Sequence, residues 1–264
     1  MAQTQTKPEG WTRKSLRSIS ALLLREMATT YGRSPGGYLW AVVEPSAGIA
    51  LLTFVFSLAF RSPPLGDNFP IFYATGILPF MMYVQMNSKL MVSIWFSKPL
   101  LQYPAVSFID AIISRLLLNL MTQIMVFYVV ITTIMILYKP QVTIDAPTVA
   151  LSISMATVLG SGVGVLNCLL ISVAPVWQRA WNILNRPMFI ISGIFFLFES
   201  IPEPYASILW FNPLVHIIGV MRSAFYPTYD ANYVSVAYVF GFGLISMVVG
   251  LFFLRRWHKD FLYS

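Results

Sequence analysis

Leu116-Leu-Leu-Asn-Leu-Met-Thr-Gln-Ile-Met-Val-Phe-Tyr-Val-Val-Ile-Thr-Thr-Ile-Met-Ile-Leu-Tyr138 contains no Asp, Glu, Lys or Arg. A bilayer core of roughly 30 Å is crossed by about 20 mostly apolar residues in a helix. This run therefore reads as a transmembrane span. Two further runs are free of charge, Phe69–Ser88 before it and Ala146–Gln178 after it. Gly37–Phe60 is also long enough, although Glu44 and Pro45 lie near its start, and Ala231–Leu254 closes the series. Pro187–Phe198 is shorter and reaches span length only if Ala180–Arg186 is included. The count predicts six spans.

Composition agrees. Of 264 residues, 57% are hydrophobic and 10% charged, with a mean hydropathy of +0.71. Soluble domains carry about 25% charged residues, so a soluble globular class is excluded. The net charge of +7 does not indicate nucleic-acid binding, because the basic residues flank apolar runs rather than clustering. Cys168 is the only cysteine, which rules out an intrachain disulfide.

Charge also sets the expected orientation. Lys7, Arg13, Lys14, Arg17, Arg25 and Arg33 precede the first span, and Arg255, Arg256 and Lys259 follow the last. Positive residues mark the cytoplasmic side, so both termini are expected there, which needs an even number of spans. Lys89, Lys98, Arg115, Arg179 and Arg186 fall in the predicted inner loops. The outer ones hold Arg61, Lys139 and Arg222 with five acidic residues. Met1–Arg33 has no secretory-signal pattern and is expected to stay in the cytoplasm.

Three segments do not read as ordinary loops. Residues 12–33 read as an amphipathic helix in the membrane interface, with Leu16, Ile19, Leu23 and Met27 at helical spacing and Arg13, Arg17 and Ser20 between them. Phe96–Ala105 is too broken to span and too apolar for a solvated linker. It reads either as a short helix against the membrane or a partner, or as a plain interfacial loop. Pro204–Met221 is apolar but broken by Asn212, Pro213, His216 and Gly219, backbone that a bilayer tolerates only under protein cover. It is expected to be a re-entrant pair of half-helices between spans 5 and 6. The organisation expected is a single permease domain: 1–33 cytoplasmic with the amphipathic helix, 34–254 spanning, 255–264 a cytoplasmic tail.

Catalytic motifs are missing from the sequence. It has no Gly-rich Lys-Ser/Thr nucleotide loop and no His-Glu-x-x-His zinc helix. Gly160-Ser161-Gly162, with His216 as base, would suit an intramembrane serine protease only if the two side chains met. The competing reading is packing, since Gly160 and Gly164 form a small-xxx-small pair. Acidic residues avoid the centres of all six spans, which argues against ion coupling and for energy supplied elsewhere. Aromatics are abundant. Most belong to lipid-facing bulk and interfacial belts, while Tyr73, Tyr83 and Trp95 are candidates for lining a glycan conduit.

Leu24-Arg-Glu-Met-Ala-Thr-Thr-Tyr-Gly-Arg-Ser34, Gly37-Tyr-Leu-Trp40, Glu44-Pro45, Ser192-Gly-Ile-Phe-Phe196 with Pro202, Asn212-Pro-Leu-Val-His216 and Met221-Arg222 occur in an order that covers nearly the whole chain. Together they resemble the six-span permease subunits of polysaccharide-exporting ABC transporters of the type-two class, and look most similar to the capsule-export branch. Thr29-Thr30 departs from that pattern, where a basic residue often precedes the tyrosine.

The resemblance implies a homodimer bound to two separate ATP-binding subunits. ATP and Mg would sit on those subunits, with no cofactor or metal on this chain and no catalytic activity of its own. It implies a coupling helix after span 2, with Lys98, Gln102, Tyr103 and Pro104 as ATPase contacts. It also implies a gate helix at the cytoplasmic entrance, where Arg25, Glu26, Tyr31, Arg33, Trp40 and Glu44 fall. Arg25 and Arg33 would attract an anionic headgroup or acidic sugars, Glu26 would pair with an arginine, and Glu44 would pair across the inner face. Asn212, His216 and Arg222 would belong to the exit side. The expected setting is a Gram-negative inner membrane, with a periplasmic co-polymerase and an outer-membrane channel as further partners. The expected cargo is a lipid-anchored, acidic capsular polysaccharide; the alternatives are O-antigen, teichoic acid or a drug.

Overall fold

A computed structural model describes residues 11–30, 36–37, 39–101 and 107–263. Among them ten α-helices follow one another: α1 Trp11–Thr30, α2 Leu39–Ala59, α3 Phe69–Met91, α4 Ser93–Leu101, α5 Phe108–Tyr138, α6 Ala146–Val173, α7 Trp177–Ile191, α8 Tyr205–Trp210, α9 Pro213–Phe225 and α10 Val236–Tyr263. Five helical stretches are long and apolar enough to cross a membrane: α2, α3 with α4, α5, α6 and α10.

Glycine decides how the centre packs. A Cβ on Gly160 would lie 2.8 Å from Met86 Cβ, and one on Gly164 would lie 2.9 Å from Leu90 Cβ. These two residues seat α6 against α3, which settles their role as packing. The other side of α6 is closer still, because a Cβ on Gly162 would lie 1.9 Å from the carbonyl oxygen of Gly243 on α10. Gly250, two turns further along α10, repeats the approach against Leu166. Without a solvent-driven hydrophobic effect between helices, such close backbone approach is what holds a membrane bundle together. Helix α6 is thus clamped between α3 and α10, and α3 is buried along almost its whole length.

The end of α5 that faces α1 begins with a capping box, in which Ser107 and Asp110 satisfy each other's backbone groups. Deeper in the bundle, Asn212 caps α9 by accepting from the Leu214 amide at 3.1 Å. Its Nδ2 also donates to the carbonyl of Ile191 at 2.9 Å, tying the end of α7 to the start of α9. Ser152 on α6 donates to Ile217 O at 2.8 Å, which pins α9 to the core. The Pro204–Met221 segment is accordingly two short helices, α8 and the buried α9, broken at Phe211-Asn212.

Two span boundaries differ from the sequence reading. Helix α6 stops at Val173, short of Gln178, because Pro175 pushes Ala174 into extended backbone (φ −140°, ψ 98°). The predicted fifth span is replaced by α7, whose 15 residues give about 22 Å at 1.5 Å per residue. It ends at Ile191, where Ser192 and Gly193, with φ 87° at the glycine, turn the chain. Residues 192–198, expected inside the span, follow that turn. The buried edge of α1 also sits one residue from the predicted stripe: Leu22 and Glu26 are buried, while Ile19, Leu23 and Met27 flank them half-buried. An ion pair draws Glu26 inward.

Candidate functional site at the α1 end of the bundle

Arg115 lies two turns into α5 and is 3% exposed. Its Nε donates to Glu26 Oε1 of α1 at 2.7 Å. Its Nη1 donates to the carbonyl of Lys89, at the end of α3, at 2.8 Å. The guanidinium lies 4.2 Å from the centre of the Phe96 ring on α4, a cation–π distance. One side chain therefore joins α1, α3, α4 and α5. Arg25 approaches the same ring at 5.7 Å, and the Ser15 hydroxyl donates to the Asp110 carboxylate as a second anchor for α1.

Burial pushes the Glu26 carboxyl above its ordinary value, while the charges of Arg115, Lys89 and Arg25 pull it down. The net rise means that desolvation outweighs the attraction, as is common for an ion pair removed from water. The pair fixes geometry more than it adds stability.

Beside this hub, a cavity of about 300 Å³ opens between α2, α3 and α5, lined by Trp40, Glu44, Gln85, Lys89, Gln123 and neighbouring apolar residues. Lys89 belongs to both features, through its carbonyl in the hub and as a lining residue of the cavity, where Glu44 lines the same space from α2.

The other end of the bundle is organised by Arg222 of α9, 1% exposed. Its Nη1 donates to Phe196 O at 2.8 Å and its Nη2 to Ile194 O at 3.0 Å. Its guanidinium covers the Phe72 ring at 4.4 Å. The predicted outer-loop cation is thus a buried clamp on the turn after α7. His216 is fully committed as well: its Nε2 pairs with Trp210 O at 2.8 Å, and its Nδ1 accepts from the Ser235 amide at 3.3 Å. Ser161 donates to Thr157 O at 2.6 Å within its own helix. The protease geometry is therefore absent at these two residues.

The remaining predicted residues divide. Arg25, Glu26, Trp40 and Glu44 gather at the α1 end. Lys98 lies half-buried on α4, while Tyr31, Arg33, Gln102, Tyr103 and Pro104 lie outside the described residues. Trp95 is exposed on α4. Tyr73 is buried among Phe56, Phe69 and Phe72, which makes it core packing rather than a conduit wall. Tyr83 is buried too, and touches only a cavity between α6 and α7. The sequence reading missed Phe96, Gln85 and Gln123, placed Lys89 in an inner loop, and put Arg115 near a cytoplasmic span end where it can reach the interface or pair. Glu26 and Arg115 lie 89 residues apart on different helices, so no local sequence sign marked them as partners.

Long apolar helices packed through glycine, with polar chemistry gathered at the bundle ends, define an all-helical multi-pass membrane protein. The chain belongs to the ABC-2 type transporter family, which it matches over residues 17–226. It is 30% identical to the polysialic acid transport protein KpsM of Escherichia coli over 94% of this chain and 96% of that one. It is 26% identical to the capsule polysaccharide export inner-membrane protein CtrC of Neisseria meningitidis serogroup A and 27% to the corresponding protein BexB of Haemophilus influenzae, over 92% of each chain.

Proposed function

We propose that the protein is the permease half of an ATP-driven exporter that passes a lipid-anchored, acidic capsular polysaccharide outward across a Gram-negative inner membrane. Full-length similarity to capsule-export permeases supports the cargo class. In this reading two copies pair and bind two ATP-binding subunits, which hold ATP and Mg and do the hydrolysis. A periplasmic co-polymerase and an outer-membrane channel receive the polymer. Both termini are cytoplasmic, and α7 with the turn that follows it makes the sixth crossing that this parity needs.

The observation that carries the mechanism is the Arg115 hub. The ATP-binding subunit pushes on α4 and on the segment after it, where Lys98, Gln102, Tyr103 and Pro104 lie. Phe96 and Arg115 pass the displacement to Glu26, so that α1 moves with α4 as one body. Because α1 packs on α5, whose Gln123 and Val126 line the cavity, its movement opens or closes the approach to Trp40, Glu44 and Lys89. Arg25 and Arg33 attract the anionic headgroup or acidic sugars there, since guanidinium pairs bidentately with phosphate and carboxylate.

The test is polymer-stimulated ATPase activity and export in Tyr103→Ala, with the complex purified intact. Stimulation and export should both fall while the chain still inserts. Unchanged values in both assays remove this coupling route.

A further inference from the structure

Helix α7 is tied to the bundle near its ends, where Trp177 Nε1 donates to Asn167 Oδ1 of α6 and the Ile191 carbonyl accepts from Asn212. None of its residues is buried, yet it presents one consistent stripe, Trp177, Trp181, Leu184, Asn185, Met188 and Ile191, to a gap of about 490 Å³. The far wall of that gap is a mainly apolar side of α6 and α10, with Leu159, Val163, Leu166 and Phe242 beside the polar Asn167 and Ser246. Leu170 and Trp177 also line a second, wholly apolar cavity of about 280 Å³ that reaches Phe253 and Trp257 near the end of α10. The two cavities share Leu170 and Trp177 as a common wall and together make an interrupted groove. Its lining runs along α10 from Phe242 to Trp257, about 22 Å at 1.5 Å per residue.

The groove is polarised. Trp177, Trp181 and Trp257 collect at the α1 end of the bundle, the depth at which indole rings settle in a membrane, and the aliphatic residues fill the rest. Trp181 Nε1 and Asn185 Oδ1, one helical turn apart on the lining stripe, are buried and have no hydrogen-bonding partner among the described residues. An unpaired polar atom in an apolar setting is costly. An indole N–H, with an amide that can turn either end to a ligand, suits an ester group at this level. Arg256, the exposed residue before Trp257 on α10, is a cation at the same level for a phosphate.

A protein segment does not suit the space. A helix with its side chains is about 10–12 Å across, so roughly one turn would use the whole of the larger cavity. We propose that the groove between α7 and the α6–α10 pair holds a phospholipid from the surrounding bilayer. Its acyl chain lies along α6, and its ester region sits at Trp177, Trp181 and Trp257. The lipid then acts as a wedge that lets α7 move against α6 without forming a dry, tightly packed interface. This does not depend on what the protein exports.

The experiment uses the full chain reconstituted in phosphatidylethanolamine–phosphatidylglycerol vesicles with a phosphatidylglycerol probe carrying a mid-chain diazirine. After illumination, labelled peptides are mapped by mass spectrometry. Label is expected on 159–170 of α6 and 181–188 of α7, at a yield at least matching that of the exposed face of α5 at Tyr128 and Ile136. Leu170→Trp, which plugs the junction of the two cavities, should lower groove labelling at least fivefold and leave α5 labelling unchanged. Trp181→Phe keeps the ring and removes the N–H, and should lower it severalfold. Label on α5 with background levels in the groove overturns the proposal, as does groove labelling that neither variant changes. If Leu170→Trp also loses α5 labelling it has misfolded, and Trp181→Phe alone decides.

Discussion

Glu26 and Arg115, 89 residues apart in sequence, meet at 2.7 Å with both side chains almost completely buried. Their roles are unequal. Arg115 also has the Lys89 carbonyl and the Phe96 ring. Among the described residues Glu26 has no comparable second partner.

Arg115→Met should therefore be the damaging single change. Removing one partner of a buried pair costs about 3–5 kcal/mol, and here it leaves a carboxylate in an apolar setting. Glu26→Gln should be much milder, and the double variant should recover most of the loss, since a neutral pair of similar volume has no buried charge to desolvate. Thermal unfolding of the four proteins in detergent measures this.

The same pair predicts a pH dependence. Because burial raises the folded Glu26 value above 4.5, the folded state holds that proton more tightly than the unfolded one. The stability contributed by protonation is thus present at low pH and lost as pH rises through the raised value. Arg115→Met removes an attraction that lowers it. Its stability deficit relative to Arg115→Met/Glu26→Gln should shrink as pH falls from 7 toward 4.5. A deficit independent of pH would mean that Glu26 is not the group left exposed to the loss.

Helix packing gives a sharper contrast. Gly162→Ala must force α6 and α10 apart, because its Cβ would lie 1.9 Å from Gly243 O. A loss at the upper end of the 1–3 kcal/mol typical of overpacking, or beyond it, is expected. Gly241→Ala, two residues before the contact at Gly243, meets nothing within 4 Å and should be neutral or slightly stabilising. Yield of folded protein after detergent extraction compares the two directly.

At the far end, Arg222→Lys should not substitute. An ammonium cannot reach both Ile194 O and Phe196 O while covering Phe72, a task that suits a planar guanidinium. A loss of about 2–3 kcal/mol is expected from the charged hydrogen bonds alone. A cysteine placed at Leu197 should become more reactive to a membrane-impermeant reagent. Unchanged reactivity would mean that the turn is held by something else.

Much of this architecture follows from residue order alone. Charge-free runs locate α3, α5 and α6 because the bilayer demands length and apolarity and little else. The end of α6 was obscured because Ala174-Pro175-Val176 is as apolar as the helix before it, so hydropathy could not register a backbone break. Helix α7 was mis-bounded for the same reason, since Ser192–Phe198 continues the apolar character after the helix has ended. The Gly160–Gly164 pair signalled a contact, but nothing local pointed to α3 as its partner. Gly243 and Gly250, two turns apart, carried an equal signal that went unread. The site was least legible. Glu26, Lys89, Phe96 and Arg115 come from four helices, and their meeting is a property of the packed bundle.

The export function is tested most directly by deleting the gene and following the polymer with a glycan-specific stain, at the surface of intact cells and inside permeabilised ones. The account predicts loss of the surface coat, accumulation of polymer inside the inner membrane, and restoration of the coat by the wild-type gene. A normal surface coat in the deletion strain would contradict it.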